Sequence, residues 1–216
     1  MTARELKIRI LEAARETPSP TRRTMRREGG LALAGSGAVL LAFFFALDGP
    51  EHGLGRPLWF CAATSLGWAS VAAVSMWVAL ARGPFALGRS RAWLLAMTVG
   101  TPAVLFAMMF AFVVLHPEGK LVHPERLGAK CLALTIAAGA PPLMALATWR
   151  RGSAPVHPVA SGTALGVACG SLAGVMVAIW CPVVTLAHIA LGHILPIGVM
   201  GIVGALVASR ILAMPG

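Results

Sequence analysis

Charge is scarce in this chain, and one residue type is missing. Only 12% of residues are charged, against 57% hydrophobic, and tyrosine is absent. A soluble globular domain has about 25% charged residues, so a water-surrounded fold is excluded. The motifs of common enzyme classes are also lacking: there is no HExxH, no GxSxG and no GxxxxGK[ST]. Catalysis needs a positioned acid, base or nucleophile. No carboxylate lies within an apolar run to pair with a histidine, and an enzyme is not expected. Ion and proton carriers usually keep an ionisable residue at mid-bilayer, and that is missing too. The four cysteines, Cys61, Cys131, Cys169 and Cys181, show no CxxC spacing, so spacing alone gives neither a zinc finger nor a disulfide framework.

What is present is long apolar runs. The mean hydropathy is +0.79. The longest uncharged run, Gly152 to Ser209, covers 58 residues, room for two crossings at about 20 residues each. Cys181-Pro182 is the break between them, because proline cannot continue a helix and disfavours helical geometry in the residue before it. Six crossings are expected, at about 29–47, 58–81, 92–115, 131–149, 159–179 and 191–212. The fold class is therefore all-α, a polytopic membrane protein with one transmembrane domain over 29–216. The first run follows a basic stretch, as secretory signals do, and Arg22-Arg23 or Arg26-Arg27 hints at twin-arginine export. Five further apolar segments favour an uncleaved first span.

Residues 1–28 form a separate polar arm. Leu6, Ile10 and Ala13 or Ala14 recur at helical spacing with Leu11 beside them, and Thr17-Pro18-Ser19-Pro20 ends the pattern. The arm carries eight basic and four acidic residues. It reads either as an amphipathic stretch on anionic lipid or as a helix-in-groove ligand for a cytoplasmic partner. The net charge of +10 is explained by loop arginines rather than by direct nucleic-acid binding. Six spans place both termini on one side. Fourteen of the eighteen Lys and Arg fall there, so the positive-inside rule puts both termini in the cytoplasm.

That orientation sorts the soft ligands. His52, His116, His123, His188 and His193 fall at the outer surface, and Cys131 and Cys181 open and close crossings there. Cys131 and Cys181 could meet as a disulfide, or share a soft metal with His188 or His193. Alternatively, each cysteine is a small packing residue and each histidine an interfacial anchor. On a regular helix His188 and His193 stand about 140° apart, which argues against one face and against haem. Gly162, Gly166, Gly170 and Gly174 form a bare stripe on the fifth crossing. Such a stripe permits close helix packing within the bundle, with a homodimer seam as the alternative.

Taken together, the opening ELKIRILEAARETPSPTRR, the six crossings, Cys131 at the start of the fourth and WCPVVTLAHIALGHILP leading into the last resemble the NrsF-type (negative regulator of sigma F) membrane anti-sigma factors. The resemblance covers nearly the whole chain, although ILAMPG departs from the Arg-Trp style tail of many members. It implies a protein of the bacterial inner membrane. Its N-terminal segment would hold an extracytoplasmic-function sigma factor through Leu6, Ile8, Ile10, Leu11 and Arg15, and release it on an external oxidant, metal or light signal. Cys131 and Cys181 would sense, with His188 and His193 beside them and a metal ion as the one cofactor in view. A metal- or haem-binding membrane protein without a transcriptional role is the alternative.

Overall fold

The computed structural model describes residues 58–80, 90–115, 128–151, 155–181, 183 and 185–213, with isolated positions among residues 1–50. It is all-α. Among the described residues, five helices are long and apolar enough to cross a membrane: α1 (Leu58–Leu80), α2 (Arg91–Leu115), α3 (Ala129–Trp149), α4 (Pro158–Trp180) and α5 (Leu186–Ala213). They match the second to sixth expected crossings. The expected first crossing, 29–47, and the arm, with Leu6, Ile8, Ile10, Leu11 and Arg15, lie outside the described residues apart from scattered positions.

Helices form here because a backbone in lipid must satisfy its polar groups internally. Side-chain hydroxyls follow the same rule. Thr98 donates to Leu94 O at 2.8 Å, Thr101 to Met97 O at 2.9 Å and Thr163 to Val159 O at 2.8 Å. Local chemistry sets the ends. The Ser90 hydroxyl accepts the Trp93 N–H at 3.2 Å before α2, an N-cap contact. Pro158 opens α4, where a missing N–H costs nothing. α4 stops at Cys181, which turns to φ −80 and ψ 120, as expected of a residue before proline.

α4 is the axis of the bundle and touches all four other helices. Within the most apolar window of each helix, 72% of α4 is buried, against 24% of α2. The glycine stripe explains the difference. A Cβ on Gly162 would stand 2.3 Å from Gly204 O, and one on Gly166 would stand 2.0 Å from Met200 O. Gly170 lies on the Met200 side chain, while Gly174 is in ordinary contact with Ile197 and Trp68. Backbone packs on backbone along α4 and α5 because nothing intervenes.

α5 differs from expectation in two ways. It begins at Leu186, five residues before the expected 191. It also contains two π-helical turns, Ala190–Ile194 and Gly204–Ala208. In the first, the Leu195 N–H donates to Ala190 O, five residues back. Pro196 supplies the physical reason. In a regular helix its ring would strike the carbonyl of Gly192 and offer it no donor, and a widened turn just before the proline relieves both problems.

Candidate functional site

At one end of the bundle, the start of α3, the end of α4 and the first turns of α5 converge. Cys131, Cys181, His188 and His193 meet there, with their ligand atoms all within 4.8 Å of one another. All four are buried, none more than 4% exposed. Cys181 Sγ and His188 Nε2 share a hydrogen bond at 3.0 Å. The two imidazoles lie with ring centroids 5.5 Å apart. His193 Nδ1 has no hydrogen-bond partner among the described residues. The four cysteines are thiols, and none is in a disulfide.

Three features assemble this group. The π-turn places His188 and His193 together, although a regular helix would set them on different faces. That corrects the expectation that a five-residue spacing separates them. Second, Gly128 precedes α3 with φ 75, in the left-handed region that glycine tolerates. A Cβ there would stand 2.9 Å from Gly192 N, and a Cβ on Gly192 would stand 3.1 Å from Cys131 Cβ. This glycine-on-glycine crossing brings Cys131 against the histidine turn. Third, the break before Pro182 leaves Cys181 beyond the last turn of α4, next to His188.

The surroundings hold the group in place. The Thr135 hydroxyl donates to Cys131 O at 2.9 Å. Val177, Trp180, Val183 and Leu134 pack around the two thiols. Lys130 is exposed, with its ammonium 4.7 Å from the centroid of the Trp180 ring, a cation–π contact that covers the apolar wall. The Cys181 thiol is pushed well below its ordinary value. Donation from Cys131 is the main cause; burial opposes it, and His188 and His193 add to the lowering. The group therefore offers two sulfur and two ring-nitrogen donors shielded from water, the donor types that soft and borderline ions prefer.

All four of the candidate sensing residues therefore lie in one cluster. His52, His116 and His123 lie outside the described residues. Gly128, Gly192 and Thr135 were not singled out by sequence reading. The glycines at RLGAKC and ALGHI carry a signal only once the two segments are known to cross. At the other end of the bundle, the buried Arg150 donates from Nη1 to Ala79 O at the end of α1.

Among the described residues, four apolar helices around a glycine-lined fifth, with a buried thiol–imidazole group at a helix end, define a multi-pass membrane protein with a ligand-bearing end. The chain matches the family model NrsF, negative regulator of sigma F, over residues 13–213, and it belongs to that family. Its role is accordingly that of an anti-sigma regulator, and the family is not enzymatic. No curated protein and no solved structure matches the chain. The family match begins at residue 13, so Leu6, Ile8, Ile10 and Leu11 precede it, whereas Arg15 and all four cluster residues fall within it.

Proposed function

We propose that this chain holds an extracytoplasmic-function sigma factor at the inner face of the bacterial inner membrane. Residues 1–28 bind it, through Leu6, Ile8, Ile10, Leu11 and Arg15. An external oxidant, metal or light signal acts on Cys131, Cys181, His188 and His193 and releases it. The observation that carries this reading is the segregation of chemistry between the two ends. Arg91, Arg150, Arg151 and Arg210 belong to the helix ends opposite the thiol–imidazole cluster. Under the positive-inside rule the arginine end is cytoplasmic, which puts the cluster toward the outside.

The mechanism is a two-state bundle. A change at the cluster alters how α3, α4 and α5 meet. The close contact of α4 with α5 carries that change to the cytoplasmic end, with Gly162, Gly166 and Gly170 as packing positions within one chain. A signal biases such an equilibrium only by its differential affinity for the two arrangements, with couplings of about 1–3 kcal/mol.

The test is co-purification from detergent. The full chain should retain a sigma factor, and deletion of residues 1–28 should abolish retention. The double variant Cys131→Ser, Cys181→Ser should still retain it yet fail to release it under stress. Unchanged induction in that variant would remove the sensing assignment, and retention without residues 1–28 would remove the binding assignment.

A further inference from the structure

We propose that the cluster is a tetrahedral site for a divalent d10 cation of the zinc and cadmium class, with Cys131, Cys181, His188 and His193 as its four ligands. The proposal deepens the sensing role and rests on that reading for its biological meaning. The site itself rests on geometry.

The ligand set is two sulfurs and two ring nitrogens. Such a set selects soft and borderline ions in tetrahedral geometry, and without a carboxylate it does not suit magnesium or calcium. Dimensions agree. With arms of about 2.3 Å to sulfur and 2.0–2.1 Å to nitrogen, a tetrahedron has edges of roughly 3.3–3.8 Å. The four ligand atoms already lie within 4.8 Å of one another, so closure needs a contraction of about 1 Å on the longest edges. His193 Nδ1, buried and without a hydrogen-bond partner among the described residues, is an independent sign. A polar atom in such surroundings is costly unless something satisfies it. The second imidazole lies against the first, with ring centroids 5.5 Å apart.

Charge favours a divalent ion. Each thiol enters as thiolate and gives its proton to water, so two thiolates with two neutral imidazoles carry two negative charges. A divalent cation brings the buried set to zero, whereas a monovalent one leaves a net charge in an apolar wall, which is expensive. The ligands come from α3, from the end of α4 and from α5. An occupied site would therefore fasten three helix ends together. The Gly128–Gly192 crossing has no slack to absorb that fastening, so the change passes to the helices.

The experiment uses the full chain in detergent under a non-thiol reductant, titrated with cobalt as a spectroscopic stand-in and then with zinc and cadmium. One cobalt per chain is expected. It should give thiolate-to-metal charge-transfer absorption and the intense visible bands of a tetrahedral site, and zinc should displace it. His193→Gln and His188→Gln should each weaken binding by more than the roughly 10–100-fold that loss of an outer-shell partner costs, and Cys131→Ser with Cys181→Ser should abolish the charge-transfer band. In the unaltered chain, zinc should protect Cys131 and Cys181 from a maleimide while leaving the labelling of Cys61 unchanged. That arm does not depend on how any variant folds.

Absence of tetrahedral bands, or bands and affinity unchanged in both histidine variants, overturns the site. So does failure of zinc to protect the two thiols. Sigma-factor retention is read in the same preparations. Retention and oxidant release without cobalt bands would defeat the metal site and leave the anti-sigma mechanism standing. Full metal binding with no change in release on adding zinc or cadmium would keep the site and defeat its sensing role.

Discussion

α5 crosses its neighbours glycine-to-glycine in two places, and each crossing falls in a π-turn. At one end Gly192 meets Gly128; toward the other Gly204 meets Gly162. The backbone device is the same but the side chains differ. The first crossing is flanked by His188, His193 and Cys131, the second by Ala208 and Ser209 among apolar residues. Close approach is therefore a general tool of this bundle. Chemistry appears only where soft ligands occupy the positions that the crossing buries. The second crossing also has the tighter clearances, so it serves as the firmer of the two.

That ranking can be broken by substitution. The largest effect is expected at the second crossing. In Gly166→Ala the new Cβ would stand 2.0 Å from Met200 O, and in Gly204→Ala 2.1 Å from Gly162 O. Backbone cannot step aside as a side chain does, so each should cost about 3 kcal/mol. A thermal melt in detergent reads this; an unchanged melting temperature would mean that the two helices do not touch there.

Next comes Gly128→Ala. The left-handed backbone costs an alanine roughly 1–2 kcal/mol, and the new Cβ would crowd Gly192 N at 2.9 Å. Cys131 should then react faster with maleimide, while sigma-factor retention persists. No gain in Cys131 labelling would separate the crossing from the cluster.

Arg150→Leu should cost about 2 kcal/mol, the loss of a buried charge-assisted bond to the Ala79 carbonyl. Its effect should fall on melting temperature, with cluster labelling unchanged. The smallest effect, of opposite sign, is expected at Gly198 and Gly100. Neither would bring a new Cβ within 4 Å of anything outside its own turn. Alanine there should be neutral or stabilising by about 0.5–1 kcal/mol. A large loss at either would show that the glycines of these helices are not distinguished by what they face.

Apolar length alone located α1 to α4 to within a few residues, because a bilayer leaves helices little freedom of extent. The glycine spacing of α4 announced a close approach, though not that α5 was the neighbour. The cluster was half visible. Cys131 and Cys181 could be grouped with His188 or His193, but the two histidines could not be put on one face, because a regular helix separates them. The clue to the irregular turn was Pro196, read as part of the helix rather than as a cause of strain three residues after His193. Gly128 was overlooked since a glycine before a helix ordinarily means only a turn.

One extra residue in a helical ladder has a wider consequence. Pairs of imidazoles that grip an ion along an ordinary helix stand four apart, as in HxxxH. Here HIALGH, with five, accomplishes the same alignment because the bulged register absorbs the surplus. A pattern search tuned to the ordinary interval passes over such a pair.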